Sequence, residues 1–382
     1  MRFKDVIGHK EIKENLIQTI HDNRISHSQL FLGPEGSGNL MMALAYAQYI
    51  ACVNKESSDS CGQCPSCIKY EKLQHPDLHF AFPVCGPKQP VSDRFLPEWR
   101  EMVLENPYAS LYDWTQTMGV DNKQMGIAKD EAQEINKRLS LKSFEGAYKV
   151  MLIWMPEKMN ITAANKLLKI IEEPPQKTLF LLVANSSEDM IGTILSRTQT
   201  VKIPRLSDEI IASALQKKGI SAEAAAQASA LAEGDFNRAL KLQNDAAFNE
   251  FNADRFIEWM RLCFQALKAK DLEKLVVWTD SMSRIGREAQ KNFLKYASQI
   301  VRKSLLQNYG VGQLAKTSID KGSFSMEKFS PYIHADNCME IMEELNLAYR
   351  HVERNANPKI LFLDTSFKIA RLLHVKLKEA SM

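Results

Sequence analysis

The sequence predicts an α/β fold in the first part of the chain, built on a mostly parallel sheet, followed by an all-helical remainder. First, an apolar run, a glycine-rich loop and an apolar helix follow one another between Ser28 and Val53, which is the order of elements around a phosphate-binding loop. Second, buried-strand and helix patterns alternate up to Pro204, and this alternation favours a parallel sheet covered on both faces. Third, strand patterns nearly vanish beyond Pro204, and helical periodicity replaces them.

The elements of the first part follow from hydrophobic periodicity and from residues that end helices. On the first helix, Leu16 and Ile20 belong to one apolar face, and the last helix ends before Pro174. Apolar runs such as "YKVMLIWM" and "TLFLLVAN" are typical of strands buried on both faces. The predicted helices are 11–22, 40–53, 129–139 and 163–173, and the predicted strands are 28–33, 148–155 and 178–185.

Residues 84–126 interrupt this alternation and are typical of an insertion rather than of the core. The stretch begins as a loop and continues as one or two short helices rich in Trp and Tyr. These aromatic side chains either form a surface for a partner or pack the insertion itself, and the packing interpretation is favoured. The chain therefore divides into an α/β domain at 1–204, a small helical unit at 205–245 and a helical domain at 246–382.

Composition and charge exclude several classes of protein. A chain of 382 residues is long enough for two or three domains. Hydrophobic residues make up 45% of it and charged residues 25%, which is ordinary for a globular protein, and no apolar run is long enough to span a bilayer. A net charge of +3 does not predict strong binding to nucleic acid by the chain alone. The charged amino terminus has no features of a signal peptide, so we expect a cytoplasmic protein without membrane contact.

Four of the seven cysteines crowd together with the spacing C-x8-C-x2-C-x2-C. In a reducing compartment such a cluster indicates a metal before disulfides. Two close C-x2-C steps can present thiolates to one ion, and a fourth sulfur completes a closed tetrahedral zinc site of the structural type. Reduced thiols without a metal, or a redox pair, are the alternatives. The predicted ligands are Cys52, Cys61, Cys64 and Cys67.

The glycine-rich loop has the spacing of a phosphate-binding loop, G-x-x-x-x-G-K-[ST], from Gly33 to Gly38 with Gly36 between them. Asn39 stands in place of the lysine that neutralises phosphate, and Leu40 stands in place of the residue whose hydroxyl holds Mg²⁺. The loop by itself could be an ordinary strand-to-helix turn, because glycines serve backbone geometry whatever the side chains do. The sequence therefore predicts a degenerate phosphate loop.

A second catalytic requirement also fails. An ATPase with such a loop needs acidic residues at the end of a later strand to handle Mg²⁺ and water. Trp154 and Met155 occupy those places, and Glu157 comes too late in the chain. The joint failure predicts a domain that descends from an ATPase but does not hydrolyse ATP.

The order of several segments resembles the bacterial replicative clamp loader family, within the AAA+ superfamily. The segments are "FKDVIGHKEIKENL", "RISHSQLFLGPEGSG", the cysteine cluster, "FEGAYKVMLI", "NKLLKIIEEPP", "TLFLLVANSSEDMIGTILSRTQ" and "AEGDFNRAL". Within the family, the sequence is most similar to the delta prime class of subunits, whose ATP site is degenerate. The resemblance covers most of 1–245, is thinner over the helical tail and fails over about 84–126.

The resemblance implies an AAA+-like domain with a zinc module at 52–67, a small helical lid and a helical collar for oligomerisation. In this family a Ser-Arg-Cys motif points its arginine at ATP bound by a neighbouring subunit; Ser196 and Arg197 match it, and Thr198 replaces its cysteine. The planar, permanently charged fork of Arg197 suits an arginine finger, although an ordinary salt-bridging arginine is the alternative. Arg238 is similar to a second sensor arginine, but a structural role is favoured there.

The implied function is that of a non-catalytic subunit in a heteromeric ring that opens the sliding clamp and places it on primed DNA. The implied partners are ATPase subunits of the gamma/tau type and a delta subunit, with the clamp and primer-template DNA reached through the complex. Zinc is the implied cofactor. The rival interpretations are an active gamma/tau-type ATPase, against which Asn39, Trp154 and Met155 count, and a zinc protein that binds DNA alone, against which the near-neutral charge counts.

Overall fold

The structure, a computed structural model, describes residues 1–86, 90–120, 123–244, 246–265, 272–310 and 324–375. The chain divides into two compact units, one from Met1 to Leu240 and one that begins at Lys241. The first unit contains the sheet, and the described part of the second is built on helices. Parts of the predicted insertion, 87–89 and 121–122, and parts of the predicted carboxyl-terminal domain lie outside the described residues.

One parallel sheet forms the centre of the first unit. Its strands are β1 (Ser28–Leu32), β2 (Leu78–Ala81), β3 (Lys149–Trp154), β4 (Thr178–Ala184) and β5 (Gln199–Lys202). They lie in the order β2-β3-β4-β1-β5, and every neighbouring pair is parallel. Leu30 of β1 pairs with Leu182 of β4 on one side and with Thr200 of β5 on the other. This topology confirms the predicted parallel sheet and brings the carboxyl ends of β1 and β4 side by side.

The helices that begin in the first unit connect these strands and continue beyond the last of them. They are α1 (Lys10–His21), α2 (Asn39–Ala51), α3 (Pro65–Glu71), α4 (Leu96–Glu105), α5 (Leu111–Thr117), α6 (Lys129–Ser140), α7 (Ile161–Glu172), α8 (Gly192–Leu195), α9 (Asp208–Lys217), α10 (Ala222–Ala232) and α11 (Phe236–Asn244). The helices α9 to α11 correspond to the small helical unit predicted after Pro204.

Helices cover both faces of the sheet. Tyr46 of α2 packs on Phe31 of β1, with ring centroids 6.0 Å apart. On the opposite face, Leu30 belongs to a buried cluster that includes Ile135 of α6 and Leu167 of α7, because successive side chains of a strand point to opposite faces. Burial from both sides explains why β3 and β4 are apolar without alternation after their first residues, Lys149 and Thr178.

The sequence predicts neither edge strand. The strand β2 has only four residues, and β5 is exposed at three of its four positions. Both lie at the ends of the sheet, where a strand needs no continuous apolar run, so the pattern that identifies β3 and β4 is missing. The predicted elements agree with the structure to within two residues at each end, as α2 at 39–51 and α7 at 161–172 illustrate.

The segment predicted as an insertion contributes to the core of the first unit. Trp99 of α4 and Trp114 of α5 are fully buried. Trp99 stacks on Phe82 with ring centroids 4.9 Å apart, and Nε1 of Trp114 donates to the carbonyl oxygen of Pro83 at 2.8 Å. The packing interpretation is confirmed for these two tryptophans, but the expectation that the segment lies outside the core is wrong. Helices of seven and ten residues are too short for periodicity to reveal a buried face.

The described part of the second unit is built on six helices. They are α12 (Ala246–Gln265), α13 (Leu272–Ser283), α14 (Arg287–Asn308), α15 (Met326–Phe329), α16 (Ala335–Glu353) and α17 (Pro358–Leu373). Their core is organised around Trp259 and Trp278, which stack with ring centroids 5.3 Å apart. Nε1 of Trp259 donates to Oγ of Ser366 at 2.7 Å, so the indole is satisfied inside the core. Among the described residues, no helix combines the length and the apolar character that crossing a bilayer requires.

Candidate functional site

The glycine-rich loop joins the carboxyl end of β1 to the amino end of α2. Gly38 has a φ of 93° and Gly36 a φ of 70°, in the left-handed region that favours glycine. A Cβ atom at Gly33 would lie 2.4 Å from the carbonyl oxygen of Ile203, so no larger residue fits there. The predicted strand, loop and helix are therefore present, and the glycines have a structural reason that does not involve phosphate.

The side chain of Asn39 connects the loop to the neighbouring strand. Its Nδ2 donates to the carbonyl oxygen of Gly33 at 2.9 Å, to that of Ala184 at 3.0 Å and to Oδ1 of Asn185 at 3.3 Å. Its Oδ1 accepts from the backbone N–H of Leu40 at 2.9 Å. Asn39 is 7% exposed, so this buried amide is occupied by the ends of β1 and β4. It carries no charge and acts as a structural link where a working loop has a mobile ammonium.

Residues of α11 cover the loop. Gly36, Ser37 and Gly38 are buried, whereas a phosphate-binding loop must leave its backbone N–H groups accessible to the ligand. The backbone N–H of Phe236 donates to the carbonyl oxygen of Gly36 at 3.1 Å. A Cβ atom at Gly36 would lie 1.8 Å from Oδ1 of Asp235. The start of α11 is thus in direct contact with the middle of the loop.

Tyr108, between α4 and α5, covers the end of the loop. A Cβ atom at Gly38 would lie 2.9 Å from Cε1 of Tyr108. The Tyr108 hydroxyl accepts a hydrogen bond from the backbone N–H of Ile7 at 2.9 Å. Its ring meets Phe236 edge to face, with centroids 5.0 Å apart. Burial raises the pKa of the Tyr108 phenol, so the hydroxyl stays neutral.

The positions where an ATPase needs acids are apolar and buried. Trp154 and Met155 are each 2% exposed. The Trp154 ring lies 6.2 Å from that of Trp99, the tryptophan of α4 that also stacks on Phe82. The residue at the end of β3 therefore supports the packing of the insertion and offers no oxygen to a cation.

Glu157 is the acidic residue nearest to the end of β3 in sequence, and its carboxyl group is shielded from solvent. Oε1 accepts from the backbone N–H of Asn185 at 3.0 Å, while buried Oε2 has no hydrogen-bond partner among the described residues. Burial raises the pKa of Glu157 to about 7, against the opposing hydrogen bond from Asn185. Asn185 also contacts Asn39, so Glu157 belongs to the same end of the sheet as the loop.

The four clustered cysteines come together in a geometry that suits one metal ion. The sulfur atoms of Cys52, Cys61, Cys64 and Cys67 all lie within 4.8 Å of one another. The Sγ atoms of Cys52 and Cys61 are 3.6 Å apart, and those of Cys61 and Cys67 are 3.9 Å apart. Four sulfur ligands at about 2.3 Å from a tetrahedral zinc would be separated by about 3.8 Å. The cluster can therefore hold a metal with all four positions closed.

Backbone donors surround the same sulfur atoms. The N–H groups of Gln63 and Cys64 point at Sγ of Cys61 at 3.5 and 3.4 Å. Burial opposes ionisation of Cys64, but hydrogen bonds from the backbone of Cys67 and Val53 outweigh it and lower the pKa of this thiol to about 6. Burial and the neighbouring sulfurs raise the pKa of Cys67. Crowded thiolates repel one another, so all four could be ionised together only with a cation among them.

Asp59 attaches the cysteine cluster to the amino terminus. Its two carboxylate oxygens accept from the backbone N–H groups of Phe3 and Lys4, each at 3.0 Å. Oδ1 also accepts from the N–H of Ser60 at 2.8 Å. The segment that carries Cys61 is therefore held in place by backbone groups far from it in sequence.

Arg197 lies at the surface, just after α8. Its Nε donates to Oε2 of Glu172 at 2.6 Å, and its Nη1 donates to the carbonyl oxygen of Thr193 at 3.0 Å and to Oγ of Ser196 at 3.4 Å. The side chains of Arg197 and Glu172 are 32% and 55% exposed. The structure thus brings Ser196 and Arg197 together, but a role towards a neighbouring subunit stays a prediction.

Several residues of the site are missed by sequence reasoning. Arg238 is in the first turn of α11, where its N–H donates to Oδ1 of Asp235 at 3.0 Å, and Asp235 is the residue whose carboxylate lies against Gly36 of the loop. The pattern of an aspartate directly before a helix could have indicated this residue as a helix cap. No pattern indicates Tyr108 or Asn185, because their contacts join segments far apart in the sequence.

Comparison with known proteins identifies several proteins that are similar to this chain. The delta' subunit of DNA polymerase III from Bacillus subtilis is 26% identical over 54% of this chain and 50% of that protein. The tau subunit from the same organism is 25% identical over 98% of this chain and 62% of that protein. The chain thus spans between half and two thirds of these relatives. A gamma subunit-related protein of DNA polymerase III from Thermotoga maritima, a solved structure, is 14% identical over 94% of this chain and 99% of its own, with a TM-score of 0.39.

A family model also matches the sheet-containing part of the chain. It is described as "DNA polymerase III, delta subunit" and covers residues 8–207, slightly more than half of the 382 residues. The matched range includes the glycine-rich loop, the cysteine cluster and Arg197. On this match, the chain belongs to the family of DNA polymerase III delta subunits.

Proposed function

We propose that this protein is a non-catalytic subunit, of the delta prime type, in the clamp loader of DNA polymerase III. The observation that carries the proposal is the bonding of Asn39, whose buried amide is occupied by the carbonyl groups of Gly33 and Ala184. With Leu40 in the next position and Trp154 at the end of β3, neither the phosphates nor Mg²⁺ of ATP find the charged or oxygen ligands they need. The subunit then works as a fixed part of an assembly whose other members hydrolyse ATP.

The cysteine cluster is the proposed site of one structural zinc ion. The spacing of its sulfur atoms and their backbone N–H donors support this assignment. Four sulfur ligands leave no open position for water, so the ion would support folding of the module around α3 rather than a reaction.

Arg197 is the proposed arginine finger for the ATP site of a neighbouring subunit, together with Ser196. The ion pair with Glu172 is partly exposed, and such surface pairs contribute about 0–1 kcal/mol. Arg197 can therefore exchange Glu172 for a phosphate at little cost, while Thr193 and Ser196 keep its side chain in place.

The proposed partners are ATPase subunits of the gamma/tau type and a delta subunit, in a ring that acts on the sliding clamp and on primer-template DNA in the cytoplasm. A net charge of +3 suits a subunit that contacts DNA through the assembly rather than alone. The helices of the second unit would serve as the collar through which subunits associate.

The test is ATP hydrolysis by the reconstituted assembly with Arg197→Ala in this subunit. A finger contributes on the order of 10³–10⁵ in rate at its own site, but intact sites elsewhere in the ring would mask most of that, so we expect a loss of about threefold or more in clamp- and DNA-stimulated turnover. Arg197→Lys should rescue poorly, because an ammonium lacks the two-pronged geometry.

A matched control for Arg197 is Arg24→Ala, because Arg24 is another surface arginine paired with an acid, Asp22. This variant should leave turnover unchanged. Both variants should assemble normally and keep the wild-type fold. Wild-type ATP turnover by an assembled Arg197→Ala complex would show that Arg197 is an ordinary surface residue.

The second candidate function is that of an active ATPase subunit of the gamma/tau type. The observation in its favour is the similarity to the Bacillus subtilis tau subunit over 98% of this chain. The residues at positions 39, 40 and 154 count against it, since asparagine, leucine and tryptophan cannot replace lysine, a hydroxyl and a carboxylate. Turnover of ATP by the isolated chain distinguishes the two candidates.

A further inference from the structure

We propose that residues 106–114 form a built-in plug, which fills the cleft beside the glycine-rich loop and holds the helices α9 to α11 closed on the sheet without any nucleotide. The proposed function requires only that the chain does not hydrolyse ATP. The plug concerns which residues lie against the glycine-rich loop and keep α11 closed on it. It does not depend on the role of the subunit in an assembly.

The position of the plug follows from where phosphates would bind. A helix that starts directly after a glycine-rich loop offers its first N–H groups and its positive end to an anion, and here this is the amino end of α2 at Gly38. Cε1 of Tyr108 lies only 2.9 Å from the position that a Cβ atom on Gly38 would occupy. The tyrosine ring therefore occupies space next to the helix start that an incoming nucleotide would need.

The Tyr108 side chain joins three separate segments. Its hydroxyl accepts from the N–H of Ile7 at 2.9 Å, its ring packs at Gly38, and its edge-to-face partner is Phe236 at 5.0 Å. Tyr108 is 6% exposed and Phe236 is 1% exposed. One buried aromatic side chain thus links the amino-terminal segment, the loop and the first residue of α11.

A second set of contacts joins the plug to α11. Nδ2 of Asn106 donates to Oδ1 of Asn237 at 2.6 Å, and Nδ2 of Asn237 donates to Oδ2 of Asp113 at 2.7 Å. The same carboxylate oxygen of Asp113 accepts from the N–H and the hydroxyl of Ser110 at the start of α5. Asn237 is 4% exposed, so its amide makes both bonds from a buried position, where a hydrogen bond is stronger than in water.

The plug is anchored on both sides in the core. On one side, Trp99 of α4 stacks on Phe82 and approaches Trp154; on the other, Trp114 of α5 is buried and donates to Pro83. Trp154 stands where the acidic residue of an ATPase is expected. Tryptophan at this position therefore provides no ligand for Mg²⁺ and supplies part of the apolar surface on which the plug packs.

The start of α11 completes the closure. The bond from the N–H of Phe236 to the carbonyl oxygen of Gly36 and the contact of Asp235 with Gly36 leave no room between the helix and the loop. In a nucleotide switch, a ligand between two such elements decides whether they are open or closed. Here residues of the chain make the closing contacts, so closure should be independent of ATP.

The test is hydrogen exchange by mass spectrometry on the full chain, with and without Mg-ATP. Tyr108→Ala should raise the exchange rate of the loop, 33–39, and of the start of α11, 236–240, by about tenfold or more, because local opening is measured directly by exchange. Mg-ATP should leave exchange of wild-type protein unchanged. Leu104→Ala is the control, since it truncates a side chain that is 46% exposed on α4, just outside the plug, and it should leave the loop unaffected.

A second variant keeps the test decisive if Tyr108→Ala unfolds the first unit, which faster exchange of its central strands β3 and β4 would reveal. Asn237→Ser removes the bonds to Asn106 and Asp113 and should raise exchange of the start of α11 by about threefold or more. Unchanged exchange of the loop in folded Tyr108→Ala, unchanged exchange of α11 in Asn237→Ser, or added protection of wild-type loop by Mg-ATP would each overturn the proposal.

Discussion

Replacing Asn39 with alanine is the perturbation that most clearly separates a structural link from a damaged catalytic residue. In wild-type protein the Asn39 side chain donates to Gly33 and Ala184 and accepts from Leu40. Asn39→Ala leaves two groups without these partners in a buried place, the carbonyl oxygen of Gly33 and the N–H of Leu40. The carbonyl oxygen of Ala184 keeps a bond from the N–H of Gly33 at 3.1 Å.

The magnitude follows from these two groups. A buried polar group that loses its partner costs about 1–3 kcal/mol, so the two groups left by Asn39→Ala should together lower the free energy of unfolding by about 2–6 kcal/mol. A residue retained from an ancestral active site without structural use would cost little or nothing when truncated, because lost function carries no penalty in stability.

The assay is urea unfolding followed by circular dichroism, fitted with separate transitions for the two units because a chain of this size need not unfold in one step. Hydrogen exchange of β4 assigns the affected transition to the first unit. Asn165→Ala is the matched control, an exposed asparagine on α7, and it should change stability by about 0.5 kcal/mol or less. A loss below about 1 kcal/mol for Asn39→Ala would refute the structural role derived from the hydrogen bonds.

Two further predictions concern the metal and pH. Protein purified without chelator should contain one zinc per chain, Cys64→Ser/Cys67→Ser should lose it, and Cys85→Ser, outside the cluster, should keep it; metal analysis showing little zinc in wild type would contradict this. Burial holds the pKa of Glu157 at about 7, above its usual ~4.3, so the folded state keeps a proton that the unfolded state loses, and stability should fall as pH rises between about 4.5 and 7. Glu157→Gln should remove about 3–4 kcal/mol of this pH dependence; identical unfolding profiles from about pH 5 to 8 would argue that Glu157 is solvated.

Much of the sheet follows from the sequence because buried parallel strands leave a strong pattern. The strands β3 and β4 are apolar at nearly every position, and Pro156 follows β3 while Pro175 precedes β4, so local composition alone identifies them. The strands β2 and β5 are short and lie at the edges of the sheet, and their assignment depends on neighbours that are distant in the sequence.

The candidate site also contains some features that local sequence patterns predict and others that they do not. The glycine spacing and the cysteine spacing are local patterns, and the structure brings each set together. Tyr108, Asn185 and Asp235 could not be predicted, since each contacts the loop from a segment between 70 and 200 residues away. The interpretation of 84–126 as peripheral was wrong for the same reason, because the surface that buries Trp99 is formed by Phe82 and by Trp154 of β3.

The most direct test of the central claim is steady-state hydrolysis of Mg-ATP by the purified full-length chain without partners. The account predicts no turnover above a protein-free blank, because the lysine, the hydroxyl and the acidic residue that phosphate-loop ATPases use are replaced by Asn39, Leu40 and Trp154. A variant with a bulky residue at the loop, Gly38→Val, distinguishes turnover by this chain from turnover by a contaminating enzyme. ATP hydrolysis in the wild-type chain that Gly38→Val abolishes, with the fold otherwise intact, would contradict the account.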